Sequence, residues 1–436
     1  MTRVRLGPVA AIRSRLRVPG DKSISHRALI LNAMAGGTAV VTGLAPGRDV
    51  ASTTAALAML GVPIAWEGRD RLRVSEGAPW RAAGPIDCGN SGTTTRLLLG
   101  VLAARAAGPV TLTGDGSLSR RPMGRVVEPL TRMGAVIEGS TDAAGGAADR
   151  LPLTITGRPL RAARHRLPVA SAQVKSALLL AGLAAEGETV VEEPGTSRDH
   201  TERMLAAMGA RIEAATPSAS GGTRTAIHPG PLAALDVDVP GDLSSAAPFL
   251  ALAAAQGGGE IAIGDVGFNP TRTGFLDLLM AFGAEVEATI VENGPEPRGT
   301  LRVVGRGLTA IEIGPEVVPR AIDELPLVAV LATQAEGDTV IRGAAELRVK
   351  ESDRIAAIVT GLRRMGAEID ALPDGFAVRG PTSLAGAELD VAGDHRIGMA
   401  FAVAAALARG ESALEGAEWV AVSYPTFFED LAAVCP

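Results

Sequence analysis

The sequence of 436 residues contains few of the side chains that usually hold metal ions or form disulfide frameworks. Its only cysteines, Cys88 and Cys435, are too far apart for a zinc motif and too few for a disulfide scaffold. Its five histidines show no HExxH spacing and no similar ligand pattern. We therefore expect no metal, no structural disulfide and no cysteine nucleophile.

The sequence also has few aromatic residues and no net positive charge. Aromatic residues make up 3% of the chain, and the formal net charge is −6. Proteins that bind single-stranded nucleic acid need stacking rings and a basic groove, and an acidic membrane attracts basic surfaces. The composition predicts that neither nucleic acid nor a membrane is a partner, so any anion site must be local.

Long apolar runs are also missing. The N-terminal segment has no uninterrupted apolar core of signal-peptide length, and the apolar stretches 177–185 and 400–408 are too short to cross a bilayer. We interpret these stretches as buried helices and expect a cytoplasmic protein. The pattern GxxxxGK[ST] does not occur, which argues against a nucleotide cofactor.

What the sequence does have is an internal repeat. An apolar helix end followed by glycine, a small residue and an alternating strand occurs five times. The glycines lie 73 to 83 residues apart, at Gly61, Gly134, Gly209, Gly283 and Gly366. Each suits the position just after a helix, where a positive φ costs glycine least.

A second pattern interleaves with the first: a short strand, a polar turn, an Ala/Leu-rich helix, then glycine and a Val/Ile strand. Its copies begin near Val18, Ile86, Leu167, Val239, Ile322 and Val391. Six βαβαββ-like repeats account for the chain, the last of them truncated, and identical Val-Pro-Gly-Asp turns at 18–21 and 239–242 divide them into two sets of three. We predict an α/β (α+β) fold with two similar domains, residues 19–239 and residues 1–18 plus 240–436. The first strand, over 4–17, would cross back to the second domain, and the substrate would sit between the domains.

Basic side chains recur where helices are predicted to begin. Lys22 starts one helix with Ser23 and Arg27 on one face, and Lys350 and Arg354 share one face of another. Lys175 after Ser171 and Arg396 after Asp394 resemble these. Unpaired N–H groups and the helix dipole disfavour cations at such places, so the pattern indicates a bound phosphate or carboxylate.

Some of these side chains also have a purely structural interpretation. A single lysine at a helix start is usually solvated, and we expect this of Lys175. Asp323 and Glu324 fit the N-cap and first position of a helix over 325–335, and Asp242 fits a simple N-cap. The run 198–202 fits a capping cluster with local ion pairs. Recurrence at equivalent places of a repeat nevertheless favours anion binding, because such places converge when repeats pack about a common axis.

The motifs closely resemble one family, 5-enolpyruvylshikimate-3-phosphate synthase, across essentially the whole chain. In order they are GDKSISHRA (20–28), GNSGTTTR (89–96), RRP (120–122), SAQVK (171–175), RDHTE (198–202), NPTR (269–272), IDELP (322–326), LRVKESDR (347–354) and GDHRIGM (393–399). The combination of GDK, SAQxK, RxHxE and NxTR is similar to the second sequence class of the family.

The resemblance implies two inside-out α/β domains of three βαβαββ repeats each, with the active site in the cleft between them. It implies that the 5-hydroxyl of shikimate 3-phosphate attacks C2 of phosphoenolpyruvate, whose C3 is protonated, and that the tetrahedral adduct then loses phosphate. No cofactor is implied. We expect a monomer.

The resemblance also implies roles for individual residues. The phosphoenolpyruvate-binding positions are Lys22, Gly92, Arg121, Gln173, Arg354 and Arg396, with the last two as a carboxylate clamp. The shikimate 3-phosphate-binding positions are Lys22, Ser23, Arg27, Ser171, Ala172, Gln173, Arg198, Asp323 and Lys350. The catalytic set is Asp323 as the base on the 5-hydroxyl, Glu351 as the acid that handles the C3 proton, and Lys22 as a donor to the leaving phosphate.

The sequence departs from the family pattern at a few places. Ala172 stands where some members have a second serine, so one phosphate contact must come from elsewhere. The segment 422–425 lacks the lysine that many members carry there. Gly92 leaves room that an alanine would take from the longer inhibitor glyphosate. The sequence class suggests tolerance of that inhibitor and Gly92 suggests sensitivity, and both outcomes stay open.

Two other functions are considered. The sister enolpyruvyl transferase, which acts on UDP-N-acetylglucosamine, typically carries a reactive cysteine in a loop, and the corresponding loop 114–120 has none. That substrate also does not explain Ser23 and Arg27. A non-catalytic scaffold that binds an anionic partner would need the cations but not Asp323 and Glu351.

Overall fold

A computed structural model describes residues 2–68, 70–77, 79–140, 150–218, 222–292 and 294–435. The α-helices among them are α1 (Lys22–Met34), α2 (Arg48–Met59), α3 (Gly92–Arg105), α4 (Gly124–Arg132), α5 (Ala172–Gly182), α6 (His200–Ala207), α7 (Leu243–Ala255), α8 (Gly274–Phe282), α9 (Val318–Ala321), α10 (Leu325–Ala332), α11 (Arg354–Arg364), α12 (His395–Leu407) and α13 (Phe427–Val434).

The strands are β1 (Arg3–Leu6), β2 (Arg13–Leu16), β3 (Thr38–Thr42), β4 (Ile64–Trp66), β5 (Arg71–Ser75), β6 (Ile86–Asp87), β7 (Pro109–Thr113), β8 (Val136–Ser140), β9 (Arg150–Thr156), β10 (Leu160–Arg161), β11 (Arg164–Arg166), β12 (Ala185–Glu186), β13 (Thr189–Glu193), β14 (Ile212–Pro217), β15 (Thr223–Ile227), β16 (Val237–Asp238), β17 (Glu260–Gly267), β18 (Glu285–Glu292), β19 (Arg298–Val304), β20 (Leu308–Thr309), β21 (Glu312–Ile313), β22 (Ala335–Ile341), β23 (Glu368–Leu372), β24 (Gly375–Gly380), β25 (Glu388–Asp390) and β26 (Ser412–Glu415).

The chain forms two compact units, which we call unit 1 (Met1–Pro19 with Pro240–Pro436) and unit 2 (Gly20–Val239). Unit 2 contains three four-stranded sheets with one topology, in the orders β16-β3-β5-β4, β6-β7-β9-β8 and β11-β13-β15-β14. In each sheet the first two strands are parallel and the other pairs are antiparallel. A helix makes the parallel connection within the second and third sheets, as such a crossover requires.

Unit 1 repeats this plan. Its sheets have the orders β2-β17-β19-β18 and β21-β22-β24-β23, and a shorter third sheet has the order β1-β26-β25. The last repeat lacks its final hairpin, and β1 from the N-terminus pairs antiparallel with β26 instead. The fold class predicted from the repeats, two similar α/β sets of three βαβαββ repeats, is therefore confirmed.

The first helix of each repeat forms the interior of its unit. Nearly every residue of α1, α3 and α5 in unit 2, and of α7, α10 and α12 in unit 1, is buried. These helices are rich in Ala and Leu on all sides, as a helix without a solvent-facing side should be. Outer strands such as β14 and β18 are largely exposed. Helices inside and sheets outside give the inside-out arrangement.

The five repeat glycines behave as predicted. Their φ angles are +83° at Gly61, +105° at Gly134, +86° at Gly209, +104° at Gly283 and +90° at Gly366. Each follows a helix and turns the chain into the next strand, a conformation in which a side chain would be strained.

Three local predictions were wrong. The strand expected over 4–17 is two strands, β1 and β2, because Gly7 and Pro8 interrupt the extended run and Pro8 has no N–H for a ladder. The helix expected over 325–335 has Glu324 as its N-cap and ends at Ala332. Lys350 does not share a helix face with Arg354, because Lys350 lies in a bend outside any helix and α11 begins only at Arg354.

No helix of the described residues is both long enough and apolar enough to cross a membrane.

Candidate active site

The start of α1 holds Lys22 beside an acidic partner. Asp21 caps the helix by accepting a hydrogen bond from the Ile24 backbone N–H at 2.9 Å. Lys22 Nζ lies 3.0 Å from Oδ2 of Asp49, the second residue of α2. The side chain of Lys22 keeps 19% of its surface exposed, so the ammonium is held in place while still open to solvent.

Arg27 lies one turn further along α1 and is buried. Its Nη1 donates to the Ser23 carbonyl at 3.0 Å, its Nε donates to Thr201 Oγ1 at 2.6 Å and its Nη2 donates to Ser176 Oγ at 2.9 Å. Ser23 and Arg27 are thus brought together as predicted from their helical spacing. The three segments that carry Arg27, Ser176 and Thr201 are joined by this one guanidinium.

Two guanidinium groups converge on the start of α3. A Cβ atom added to Gly92 would lie 2.7 Å from Nη1 of Arg96 and 3.4 Å from Nη1 of Arg121. Arg121 also donates to Asn90 Oδ1 at 2.7 Å, and Asn90 donates to an oxygen of Asp115 at 2.7 Å. Two positive side chains close to the start of a 14-residue helix favour an anion at this place. Any side chain at position 92 would displace one of these groups.

The start of α5 joins this place through Gln173. Arg96 Nη1 donates to Gln173 Oε1 at 2.6 Å, and Gln173 Nε2 donates to Thr93 Oγ1 at 2.9 Å. Ser171 is the N-cap of α5, and Ala172 begins the helix. The structure therefore groups Gly92, Arg121 and Gln173 as the sequence predicted. It also adds Arg96, which the GNSGTTTR motif contained without a role being assigned to it.

Lys175 is not solvated, and the expectation made for it was wrong. Its side chain is 1% exposed, and Nζ lies 2.8 Å from Oε2 of Glu193 and 2.8 Å from Oε1 of Glu202. The run 198–202 is correspondingly more than a local capping cluster. Asp199 does pair locally with Arg203 at 2.8 Å, but Glu202 reaches across to α5. Arg198, which directly precedes Asp199, the N-cap of α6, is half-buried.

In unit 1 a single buried arginine gathers three carboxylates. Arg354 is 2% exposed, and its Nε donates to Asp394 Oδ2 at 2.7 Å. Its Nη2 donates to Glu351 Oε2 at 2.7 Å and to Asp394 Oδ1 at 3.3 Å, while its Nη1 donates to Asp323 Oδ1 at 3.3 Å. Burial alone lowers the pKa of Arg354, but the charges of Asp394, Glu351 and Asp323 outweigh burial and raise it above its ordinary value.

The two predicted proton-transfer residues are the partly accessible members of this group. The side chain of Asp323 is 17% exposed and that of Glu351 is 19% exposed, whereas Asp394 is fully buried. Asp323 and Glu351 are therefore joined by one guanidinium and still open to a reactant. Lys350, next to Glu351, is half-buried.

Arg396 lies in the first turn of α12, whose N-cap is Asp394. Its backbone N–H donates to Asp394 Oδ1 at 2.8 Å, and its Nη1 donates to the Ser244 carbonyl at 3.0 Å. The Nε of Arg396 is buried and has no hydrogen-bond partner within the described part of the chain. A buried N–H donor of this kind favours an anionic ligand.

A second buried cluster holds the backbone carbonyl that Arg396 contacts. Asp242 caps α7 as predicted, but it also accepts a hydrogen bond from Arg272 Nη2 at 2.9 Å. The same Nη2 donates to Ser244 Oγ at 2.6 Å, and that hydroxyl donates to Glu324. Arg272, from the NPTR motif, thus fixes Ser244 and with it the carbonyl that Arg396 contacts.

Potential metal ligands occur together at one place in the described residues, at Glu188, Glu213 and His228. A cationic side chain is already there: Arg224 Nη1 lies 2.6 Å from Glu213 Oε2, and its Nη2 lies 3.4 Å from Glu188 Oε1. The group is better explained as an ion-pair cluster around Arg224 than as a metal site.

Buried histidines make the stability of unit 2 sensitive to acid. Burial, with the charges of Lys22 and Arg27, holds the pKa of His26 well below its ordinary value of 6.5. Its Nδ1 lies 2.7 Å from Thr53 Oγ1. Below pH 6.5 the unfolded chain takes up a proton at His26 that the folded imidazole does not. The free energy of unfolding is therefore unaffected by His26 above pH 6.5. It decreases as the pH falls below that value, by about 1.4 kcal/mol per pH unit.

We therefore expect the unfolding free energy of the wild type to fall more steeply than that of His26→Gln between about pH 7 and pH 5. The difference should reach about 2 kcal/mol at the lower pH. Calorimetric unfolding at the two pH values measures it. Parallel losses in both proteins would contradict a neutral, buried His26.

Comparison with known proteins identifies one family. The family profile described as EPSP synthase (3-phosphoshikimate 1-carboxyvinyltransferase) matches residues 6–431. The 3-phosphoshikimate 1-carboxyvinyltransferase of Anaeromyxobacter sp. (strain Fw109-5) is 50% identical over 434 residues, which are 99% of this chain and 97% of that protein. The protein of the same name from Geobacillus kaustophilus (strain HTA426) is 48% identical over 428 residues, which are 97% of this chain and 98% of that protein.

A solved structure is similar as well. The EPSP synthase of Acinetobacter baumannii aligns with a TM-score of 0.86 and 39% identity over 99% of this chain and 98% of that one. Together these comparisons show that the chain belongs to the EPSP synthase family.

Proposed function

We propose that this protein transfers the enolpyruvyl group of phosphoenolpyruvate to the 5-hydroxyl of shikimate 3-phosphate and releases phosphate. Both substrates are small and strongly anionic, so the enzyme must supply cations for two phosphates and for carboxylates. The observation that carries the proposal is that a guanidinium pair lies over the start of α3, while one buried arginine holds two accessible carboxylates in unit 1.

For phosphoenolpyruvate, the phosphate is assigned to Lys22, Arg121 and Gln173. Gly92 supports this assignment, because its lack of a side chain leaves room for Arg96 and Arg121 beside the start of α3. Arg96 holds the Gln173 amide by its oxygen and so fixes which way the amide faces. A phosphate at this place would meet charge-assisted hydrogen bonds from several directions.

The carboxylate of phosphoenolpyruvate is assigned to Arg354 and Arg396. Arg354 uses four of its five N–H groups on protein carboxylates, so it has one left to offer, and Arg396 adds its buried Nε. Arg354 thereby does two things in this proposal, since it also orients Asp323 and Glu351.

Shikimate 3-phosphate is assigned to the starts of α1, α5 and α6. Ser23, Ser171, Arg198 and Lys350 supply hydroxyls and positive charge, and Arg27 is fixed by Ser176 and Thr201. Gln173 and Lys22 are assigned to both substrates. Ala172 contributes backbone only, so the remaining phosphate contacts fall to Ser171 and the basic side chains.

Proton transfer is assigned to the accessible carboxylates. Asp323 takes the proton of the attacking 5-hydroxyl, and Glu351 delivers a proton to C3 in the addition step and removes one in the elimination step. Lys22 protonates the leaving phosphate. We also propose that the enzyme works as a cytoplasmic monomer without a cofactor, since its charge and composition give no reason for a nucleic acid or membrane partner.

The direct test is phosphate release from phosphoenolpyruvate by the wild type, with either shikimate 3-phosphate or UDP-N-acetylglucosamine as acceptor. We expect release with shikimate 3-phosphate alone. Release with the sugar nucleotide would assign the protein to the sister activity. A folded protein that releases phosphate with neither acceptor would be a binding scaffold.

A further inference from the structure

A buried ion cluster lies under the start of α5 in unit 2. It consists of Lys175, Glu193 and Glu202, which we call the buried triad, and each of the three side chains is 1% exposed. Lys175 belongs to α5, Glu193 ends β13, and Glu202 lies in the first turn of α6. Lys175 Nζ is taken up by two protein carboxylates, so we look for an effect of the triad on the reaction through its neighbours.

Glu193 is bonded to two of the segments assigned to shikimate 3-phosphate. Its Oε1 accepts a hydrogen bond from the Ser171 backbone N–H at 2.7 Å, and its Oε2 accepts one from Ser197 Oγ at 2.9 Å. Ser171 is itself assigned to the substrate, and Ser197 directly precedes Arg198. One carboxylate therefore holds the Ser171 backbone and the Ser197 side chain, at or beside two residues assigned to shikimate 3-phosphate.

Glu202 and Lys175 are in turn adjacent to the groups that hold Arg27. Thr201 precedes Glu202, Ser176 follows Lys175, and the two hydroxyl oxygens are 2.6 Å apart. Arg27 donates to both hydroxyls. The position of Arg27 thus depends on how closely α5 and α6 approach each other, which is set by the ion pair between Lys175 and Glu202.

The charges within the triad make Lys175 the member on which the others depend. One ammonium faces two carboxylates, and without it the two like charges would be buried with nothing to oppose their repulsion. Burial raises the pKa of Glu202 above its ordinary value even against the charge of Lys175. Burial lowers the pKa of Lys175, but the charges of Glu202 and Glu193 outweigh burial and raise it. Lys175 is therefore charged, and the two carboxylates of the triad depend on its charge.

We propose that Lys175 is a positioning residue for shikimate 3-phosphate, a role that rests on the proposed function. Its ammonium draws Glu193 and Glu202 together and so fixes Ser171, the segment before Arg198 and the partners of Arg27. The cation acts through the protein backbone and never reaches the substrate. Its removal should weaken binding of shikimate 3-phosphate selectively.

The test compares the full-length wild type with Lys175→Met, which keeps an unbranched side chain only one heavy atom shorter and removes its charge. We expect the KM and the calorimetric Kd for shikimate 3-phosphate to rise at least tenfold. The kcat and the KM for phosphoenolpyruvate should change less than fivefold, because Asp323, Glu351 and Arg121 are untouched. A merely structural role would not produce this split between the two substrates.

Leu179→Ala is the matched control, because Leu179 lies on the same helix, is fully buried and has no assigned role. It should lower thermal stability without weakening shikimate 3-phosphate binding at a temperature where it is folded. If Lys175→Met does not fold, Lys175→Met with Glu202→Gln removes one unpaired carboxylate and should fold, and its Kd should still rise at least tenfold.

The outcomes separate the two proposals. A wild type without turnover on shikimate 3-phosphate would overturn the proposed function. An active wild type together with a folded Lys175→Met, or folded double variant, whose Kd for shikimate 3-phosphate stays within twofold would overturn the positioning role alone. A Kd change equal to that of Leu179→Ala would also overturn it, because it would show loss of stability and nothing more.

Discussion

Replacing Glu351 by glutamine is expected to lower kcat about a thousandfold, which is the usual range for the loss of a general acid–base group. The carboxylate is 19% exposed and accepts a hydrogen bond from Arg354 at 2.7 Å. Glutamine has the same shape, and its oxygen can still accept from Arg354, so the fold and the binding of both substrates should be kept. What glutamine cannot do is carry a proton to C3 and take one away.

The measurement is phosphate release at saturating shikimate 3-phosphate and phosphoenolpyruvate, with KM values determined for each. Glu368→Gln is the matched control, because Glu368 is an exposed carboxylate on β23 of the same unit. It should retain wild-type kcat. A Glu351→Gln enzyme within tenfold of the wild type would show that another group moves the C3 proton, and Asp323 would then be the first to examine.

Much of the fold could be predicted because residues within the repeat mark where its helices begin and end. Glycine recurs after one helix in each of the first five repeats, and a positive φ is a property of the residue and its immediate neighbours. The same holds for the predicted N-cap Asp242, whose side chain accepts from the Ser244 N–H two residues further along the chain. Such features depend on local sequence, so the sequence alone contains them.

The charge clusters could not be predicted in the same way. The interpretation of Lys175 as solvated used the general behaviour of a lysine at a helix start. Its partners Glu193 and Glu202 are distant in sequence, and no local pattern shows that β13 and α6 bring them within 2.8 Å. Burial of a cation is decided by the tertiary fold, since an unpaired one would be too costly to bury.

Arg354 shows the same limit inside the candidate site. The motif predicted a ligand for a substrate carboxylate, whereas the structure gives the residue three protein carboxylates. Asp323 and Asp394 are 31 and 40 residues away from it in sequence. Periodicity could place each acid at the start of a helix, but the convergence of three helix starts on one guanidinium appears only in three dimensions.

This convergence gives a second large expected effect. Replacing Arg354 by methionine should destabilise unit 1 by about 3–5 kcal/mol, the usual cost of removing one partner from a buried ion pair. The reason is that Asp394, which is fully buried, loses its charge partner while Asp323 and Glu351 lose the group that separates their charges. Activity should be lost as well, because both residues proposed for proton transfer lose their orientation.

The comparison that isolates this effect is Arg363→Met on the same helix. Arg363 is 53% exposed and pairs with Asp370, which is 81% exposed, and an exposed pair of this kind contributes about 1 kcal/mol or less. Calorimetry should therefore show a much larger loss for Arg354→Met than for Arg363→Met. Adding Asp394→Asn to Arg354→Met should recover part of the lost stability, since the uncompensated charge is then gone. Equal losses for the two arginine variants would mean that the carboxylates around Arg354 are solvated, and Arg354 would then have only the substrate-binding role that its motif predicted.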